Sequence, residues 1–221
     1  MNMNIIQTWK THEIPLQYSK FFEKIRIHGK NWNFLFFTDE DIIQFVKTKF
    51  PEYLDTFKNL KHKIQQIDFF RYLAVYYYGG LYLDLDMLIE QNLDSLMDDP
   101  EMCKFPIEIE NVSDTYLLKQ KFSKLIGNYA FYSPAKHPFL KEIIENIVNP
   151  RLKDADIEEV ISTNGDSKEH VYVYCTTGPI LVTQTYIDLK EKDKISLLKP
   201  TPFINERFGT YGIHGCYGSW K

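Results

Sequence analysis

The stretch from Asp68 to Asp86, DFFRYLAVYYYGGLYLDLD, carries the pattern that decides the fold prediction. Its first part predicts the end of a helix that runs from about residue 63 to residue 78 and stops at two glycines. The part that follows predicts a buried strand, because three apolar residues lie between the double glycine and two acids. Ligands of open α/β sheets bind beyond the carboxyl ends of strands, so Asp84 and Asp86 are candidate site residues.

Strands and helices alternate on both sides of this stretch. Before it, the sequence predicts a strand at 5–9, a helix at 16–27, a strand at 33–37 and a helix capped by Thr38. After it, we predict strands at 129–132 and 171–174, helices at 138–148 and 179–189, an exposed excursion at 153–169 and an irregular segment at 209–221. The alternation predicts an α/β fold with helices on both faces of one sheet. No linker divides the chain, so we expect a single domain over residues 1–221.

Composition and charge exclude several classes of protein. The 221 residues include 26 Lys and Arg against 30 Asp and Glu, and this net charge of −4 excludes a strongly basic nucleic-acid-binding protein. The three cysteines are far apart and form no CxxC pair, so they predict neither a disulfide framework nor a zinc cluster. Residues 72–83 carry no charge but are too few to cross a bilayer, which takes about 20 apolar residues, so no transmembrane segment is expected.

The spacing of the charged residues points to a site for a metal and a diphosphate. Two carboxylates separated by one residue at a strand end are suited to a hard divalent cation, and such a cation binds a diphosphate. Asp68 and Arg71 lie three residues apart and therefore share one face of the preceding helix. The alternative is a helix-surface ion pair followed by two acids that leave a strand, but the apolar strand and the double glycine favour a site.

Two other classes of protein use paired acids at this spacing. A calcium EF-hand loop starting at Asp84 is excluded, because Leu88 and Ile89 stand where it needs an oxygen ligand and a glycine. An aspartyl-phosphate phosphatase would need a hydroxyl residue or Val at Leu88. It would also need a downstream Lys and acidic pair, for which residues 164–166 are a weak candidate. This phosphatase class remains open as the alternative function.

Four segments, in order along the chain, resemble the glycosyltransferases that contain the DxD sugar-binding motif. That family includes fungal initiating α-1,6-mannosyltransferases and α-1,4-galactosyl- and N-acetylglucosaminyltransferases. The four segments are IIQTWK at 5–10, the block at 68–86, NYAFYSPAKHP at 128–138 and HGCYGSW at 214–220. Ile6 stands where the family usually has His, so no polar role is assigned to that position.

The resemblance implies a GT-A fold with a Rossmann-like mixed sheet, and retaining transfer of a hexose from a nucleotide sugar. The implied donor is GDP-mannose or a UDP-hexose, the acceptor a glycan, lipid-linked or protein hydroxyl, and the cofactor Mn²⁺ or Mg²⁺. The implied catalytic residues are Asp68, Arg71, Asp84 and Asp86, and the implied metal ligands are Asp84, Asp86 and His214. The implied donor-binding residues are Thr8, Trp9, Asp68, Arg71, Asp84, Asn128, Ser219 and Trp220, with weaker support for Thr177 and Gly178.

The resemblance also bears on mechanism and location. No carboxylate in the sequence is placed as an obvious covalent nucleophile, so front-face retention is favoured over double displacement. A sugar-nucleotide-binding protein that has lost transfer is a further alternative, although the DxD motif and the C-terminal segment are both intact. The absence of a membrane anchor, with a composition rich in Lys, Asn, Ile and Tyr, predicts a cytoplasmic, soluble enzyme of bacterial or viral origin.

Overall fold

The described residues form a mixed central sheet with a small antiparallel sheet beside it. The structure is a computed structural model, and it describes residues 3–110, 112, 123–200 and 206–218. The strands in chain order are β1 Asn4–Thr8, β2 Asn33–Phe37, β3 Gly80–Leu83, β4 Met87–Ile89, β5 Cys103–Glu110, β6 Lys124–Ile126, β7 Ala130–Ser133, β8 Ile195–Leu198, β9 Arg207–Phe208 and β10 Gly212–His214. The central sheet has the order β2-β1-β3-β7-β5-β6, with β8 beside β5, and the small sheet has the order β4-β10-β9.

The pairing directions bring several strand ends to one edge of the central sheet. β1 is parallel to both β2 and β3, whereas β7 is antiparallel to β3 and to β5. Leu83 at the end of β3 pairs with Ala130 at the start of β7, and Lys104 of β5 pairs with Tyr132. The carboxyl ends of β1, β3 and β5 therefore lie at the same edge as the start of β7, and we call this edge the site edge.

Helices cover both faces of the central sheet. They are α1 Ser19–His28, α2 Asp39–Lys49, α3 Leu54–Asn59, α4 Lys63–Tyr78, α5 Pro138–Val148, α6 Asp154–Thr163, α7 Lys168–Thr176 and α8 Pro179–Asp188. On one face, buried Ile6 and Tyr82 pack with side chains from α2, α4, α5 and α8. On the other face, buried Ile5 and Leu81 pack with Ile25 of α1. The predicted α/β architecture is therefore confirmed.

The double glycine shapes the turn between α4 and β3. Gly79 has a φ of 68° and Gly80 a φ of 119°, a region that residues with a side chain rarely adopt. A Cβ on Gly80 would lie 2.3 Å from the carbonyl oxygen of Asn4 in β1. The two glycines thus let β3 enter the sheet directly beside β1.

The predicted strand at 171–174 is wrong, because these residues belong to helix α7. The side chain of Ser167 accepts a hydrogen bond from the N–H of His170 and caps this helix. Val171 and Cys175, one helical turn apart, are both buried against α6 and α8. Helix capping and burial here override the strand preference of alternating Val and Tyr.

The segment predicted to be irregular and the segment predicted to be an exposed excursion both contain regular structure. Helix α6 lies inside the segment 153–169, and strand β10 lies inside the segment 209–221. The sequence patterns also did not predict β5, β6 or β8. The predicted strand at 33–37 and the predicted helices at 63–78 and 138–148 match β2, α4 and α5.

Candidate active site

A cleft of about 1030 Å³ lies at the site edge. Its lining includes the end of β1, the residues that follow β3, the residues that precede β7 and the end of β5. It contains the predicted site residues Thr8, Trp9, Asp68, Arg71, Asp84, Asp86, Asn128 and His214, together with Gly178. The fold therefore brings into one cleft residues that are far apart in the sequence. Ser219 and Trp220 lie outside the described residues.

Three of the predicted residues form a compact group of potential metal ligands. One carboxylate oxygen each of Asp84 and Asp86 and a ring nitrogen of His214 all lie within 4.8 Å of one another. His214 arrives from the far end of the chain because β10 pairs with β4, which places it opposite Met87. Its ring stacks on Tyr129 with the ring centroids 4.4 Å apart, which fixes the plane of the imidazole.

The segment after β10 holds the second aspartate of the motif. The backbone N–H of Tyr217 donates to Oδ2 of Asp86 at 2.9 Å, and the N–H of Gly215 donates to its carbonyl oxygen at 2.8 Å. Burial raises the pKa of Asp86, but the hydrogen bonds from His214 and Tyr217 outweigh it and hold the pKa below its usual range. Asp86 is therefore an ionised carboxylate that is held in place by the C-terminal segment.

The donor set of this group fits a hard divalent cation. Carboxylate oxygens suit Mn²⁺ and Mg²⁺, and the imidazole favours Mn²⁺, because Mg²⁺ prefers an all-oxygen shell. Burial lowers the pKa of His214, but its contacts with Asp86 and Cys216 and the charge of Asp84 outweigh burial and raise the pKa to about 11. The two carboxylates therefore create the negative potential that a cation would neutralise.

Arg71 lies directly behind the metal-ligand group. Its Nη2 is 3.2 Å from Oδ1 of Asp68 and 3.4 Å from Oδ1 of Asp84, and its Nη1 donates to the carbonyl oxygen of Asn128 at 2.7 Å. The guanidinium carbon lies 4.5 Å from the ring centroid of Tyr82, whose hydroxyl donates to Asp84. Burial lowers the pKa of Arg71, but the surrounding charges, led by Asp84, together outweigh burial and raise it, so the guanidinium stays charged.

Asp68 is the centre of a buried hydrogen-bond network. Its Oδ2 accepts from the hydroxyl of Thr177 at 2.8 Å, and its Oδ1 accepts from the Nδ2 of Asn128 at 3.2 Å. Tyr72 completes the network, since its hydroxyl accepts from Asn128 and donates to the carbonyl oxygen of Thr177. Asp68 and Arg71 are each only 3% exposed, so they do not form a surface ion pair. Asp68 connects α4 to the start of β7 and to the turn that precedes α8.

Trp9 and Thr8 form the wall of the cleft at the end of β1. The N–H of Trp9 donates to the carbonyl oxygen of Phe37, which extends the pairing of β1 with β2 by one residue. The indole of Trp9 lies against Tyr18, with centroids 5.1 Å apart, and Lys10 Nζ lies 5.7 Å from the indole centroid. An aromatic ring half-buried at this position is suited to contact a nucleoside base.

Sequence reasoning missed three side chains of the cleft. Glu108 lies near the end of β5. The alternation of Phe105, Ile107 and Ile109 in this strand was a signal, but a weak one, because Pro106 interrupts the intervening polar positions. Glu206 and Cys216 lie beside His214, and the Cys216 thiol donates to Glu206 at 2.6 Å. These two residues have positive φ values of 61° and 53°, a backbone conformation that sequence patterns do not reveal for residues other than glycine.

The comparisons with known proteins agree with this site. Residues 15–103 match the family model described as a glycosyltransferase sugar-binding region containing the DXD motif, and this region includes Asp84 and Asp86. The resemblance found in the sequence, to glycosyltransferases with this motif, is thereby confirmed. The solved structure of the PaToxG glycosyltransferase superimposes on the chain with a TM-score of 0.51 at 15% identity, covering 83% of this chain and 68% of that one. The GT-A fold is thereby confirmed.

Two relatives show how far the similarity extends along the sequence. A mannosyl phosphorylinositol ceramide synthase of Saccharomyces cerevisiae is 33% identical over 65% of this chain and 34% of its own length. An uncharacterized glycosyltransferase of Acanthamoeba polyphaga mimivirus is 27% identical over 92% of this chain and 74% of its own length. The chain spans about a third of the length of the yeast relative that it matches.

The expected cytoplasmic location and bacterial or viral origin are wrong. The relatives with identities of 29–33% are proteins of the yeasts Saccharomyces cerevisiae and Schizosaccharomyces pombe, which points to a eukaryotic origin. The expectation failed because a composition rich in Lys, Asn, Ile and Tyr is shared by organisms of very different kinds. Across the described residues, no helix combines the length and the apolar character needed to cross a membrane.

Proposed function

We propose that the chain is the single catalytic domain of a metal-dependent, retaining glycosyltransferase. It moves a hexose from a nucleotide sugar to the hydroxyl of a glycan, lipid-linked or protein acceptor. The observation that carries the proposal is the group of Asp84, Asp86 and His214 within 4.8 Å at the site edge, with buried Arg71 behind it. The match to a sugar-binding region with the DXD motif favours this function over an aspartyl-phosphate phosphatase.

The metal site accounts for binding of the donor diphosphate. Asp84, Asp86 and His214 would hold Mn²⁺ or Mg²⁺, which would supply positive charge next to the departing diphosphate. Arg71 fixes Asp84 and adds positive potential from behind, in a region where low exposure strengthens electrostatic interactions. Asp68 holds Arg71 in place through their ion pair, so its role in the site is to position Arg71.

The transfer itself is a substitution at the anomeric carbon. The bond between the anomeric carbon and the phosphate oxygen breaks, and its electron pair leaves on the nucleoside diphosphate. The acceptor oxygen forms the new bond on the same face of the sugar, and its proton passes to a diphosphate oxygen. This front-face route retains the anomeric configuration and requires no covalent sugar–enzyme intermediate.

The relatives favour mannose as the transferred sugar and a lipid-linked hydroxyl as the acceptor. Their names include mannosyl phosphorylinositol ceramide synthase and inositol phosphoceramide mannosyltransferase. The chain offers matching chemistry at the β5 side of the cleft, where apolar Ile109, Val112 and Leu125 line the wall. Such a wall fits an acceptor with an apolar part next to its reacting hydroxyl.

A panel of nucleotide sugars tests this function. GDP-mannose, UDP-glucose, UDP-galactose and UDP-N-acetylglucosamine are added with and without Mn²⁺, and the melting temperature and the release of nucleoside diphosphate are recorded. We expect GDP-mannose to raise the melting temperature only with Mn²⁺, because a ligand that binds only the folded state stabilises that state. We also expect release of GDP from GDP-mannose under the same conditions. Stabilisation without turnover on any acceptor would indicate the non-catalytic alternative, and no stabilisation by any donor would contradict the proposal.

A further inference from the structure

The order of strands at the site edge separates the two ends of the cleft. Thr8 ends β1, Asp84 follows β3 and Asn128 precedes β7, and Glu108 lies beyond them in β5. With the nucleoside beside β1 and the diphosphate at the metal site, the transferred sugar extends toward β7 and β5. Glu108 therefore lies on the side of the cleft from which an acceptor approaches.

The carboxylates that line the cleft differ in whether another side chain or backbone group already pairs with them. Among the described residues, each has a hydrogen-bond or ion-pair partner except Glu108: Asp39 with Lys63, Asp68 with Thr177, Asp84 with Tyr82, Asp86 with Tyr217, Asp166 with Tyr174, Glu169 with His62 and Glu206 with Cys216. No described side chain donates a hydrogen bond to the Glu108 carboxylate. An acceptor group that is partly withdrawn from water costs free energy until a partner satisfies it.

The backbone around Glu108 fixes where its carboxylate points. The N–H of Glu206 donates to the carbonyl oxygen of Glu108 at 3.1 Å, which anchors β5 at this residue. Oε2 of Glu108 lies 3.0 Å from the position that a Cβ on Gly127 would occupy, so the absence of a side chain at Gly127 makes room for it. The buried hydroxyl of Tyr129, which also lacks a partner among the described residues, lines the same part of the cleft.

We propose that Glu108 is an acceptor-binding residue. Its carboxylate accepts the hydrogen bond of the attacking hydroxyl and orients that oxygen toward the anomeric carbon. The carboxyl group of Glu108 accepts this hydrogen bond more strongly when it is ionised, which is its main state above its pKa of about 7. This inference rests on the proposed function, and it assigns the acceptor side of the cleft to β5 and the donor side to β1.

The test compares Glu108→Gln with Glu110→Gln. Glu110 lies two residues further along β5 and pairs with Lys124 near the surface, so its variant is a matched control for loss of a carboxylate from this strand. The parent and both variants receive GDP-mannose and Mn²⁺. Transfer is measured to methyl α-D-mannopyranoside and to phosphatidylinositol in detergent micelles, and hydrolysis is measured without an acceptor.

We expect Glu108→Gln to lower kcat/KM for the acceptor at least tenfold, mainly through a higher acceptor KM. Hydrolysis and GDP affinity stay within twofold of the parent values and the melting temperature does not fall. Glu110→Gln behaves like the parent. Unchanged acceptor kinetics, or an equal loss of hydrolysis and GDP affinity, would overturn the assignment. A parent that neither hydrolyses nor transfers from any nucleotide sugar would instead contradict the proposed function, and a parent that hydrolyses but uses neither acceptor would contradict the acceptor assignment.

Discussion

The Nε2 of His214 lies 3.3 Å from Oδ1 of Asp86, although His214 ends β10 and Asp86 directly precedes β4. The pairing of β10 with β4 sets this distance, and the stacking of His214 on Tyr129 sets the ring plane. The C-terminal segment thus places an imidazole beside the two aspartates of the DxD motif, and the proposed metal site includes a residue from outside that motif.

His214→Ala is expected to weaken Mn²⁺ binding at least about tenfold. Mutation of a residue that only supports a metal ligand already lowers metal affinity about 10–100-fold, so loss of a ligand should cost at least as much. Isothermal titration with Mn²⁺ measures the effect. His28→Ala, which removes an imidazole from the last turn of α1, is the control and should bind Mn²⁺ like the parent. Equal affinities of all three proteins would exclude His214 as a ligand.

Arg71→Ala is expected to destabilise the fold by about 3–5 kcal/mol, because it removes the guanidinium that compensates the buried charge of Asp68 and the partly buried charge of Asp84. The free energy of unfolding is measured by urea denaturation. Arg151→Ala is the matched control, since Arg151 pairs with Glu142 at the surface and should cost at most about 1 kcal/mol. A loss for Arg71→Ala no larger than that of the control would show that the buried pair contributes little.

Gly80→Ala is expected to destabilise the protein by more than about 2 kcal/mol. The substitution places a Cβ at a φ of 119° and 2.3 Å from the carbonyl oxygen of Asn4, so β1 and β3 must separate. Gly165→Ala is the control, because a Cβ there meets nothing within 4 Å and no positive φ is imposed. Thermal unfolding of the two variants should differ clearly, and similar melting temperatures would argue against a tight junction between these strands.

Glu108→Gln is expected to change how stability depends on pH. Burial and the charge of Glu206 raise the pKa of Glu108 to about 7, against the opposing charge of His214. The folded state then holds the proton more tightly than the unfolded chain, so the parent loses stability as the pH rises from 4.5 toward 7.

The variant lacks this loss. Relative to the parent it should gain about 1–2 kcal/mol between pH 5 and pH 8, measured by denaturation without divalent metal. Glu110→Gln should show no such gain. A pH profile of Glu108→Gln that runs parallel to that of the parent would mean that Glu108 titrates normally.

Local patterns predicted the elements that surround the DxD motif. The helix before it, the double glycine and the apolar strand depend on short-range chemistry, and the structure has α4 and β3 where this chemistry indicates them. Thr38 likewise caps α2, with its side chain accepting from the N–H of Asp41 at 3.2 Å. The resemblance to the DxD glycosyltransferases then predicted the GT-A fold, and the strand order of the central sheet agrees with that prediction.

Long-range pairing accounts for what the sequence did not reveal. β5 contains Pro106 and polar residues, so its strand pattern is weak, and its place between β7 and β8 depends on partners far along the chain. The site residue Glu108 was missed with it. The burial of Asp68 and Arg71 was also missed, because spacing shows that they share a helix face but not which structure covers that face.

The dependence of donor turnover on the metal tests the central claim most directly. The release of GDP from GDP-mannose is followed for the parent, for Asp86→Asn and for Asp55→Asn, a control at an exposed aspartate of α3, with Mn²⁺ and with excess EDTA. We predict turnover by the parent and by Asp55→Asn only with Mn²⁺, and a loss of at least about 100-fold for Asp86→Asn at an unchanged melting temperature. Full turnover in EDTA, or an Asp86→Asn variant as active as the parent, would contradict the account.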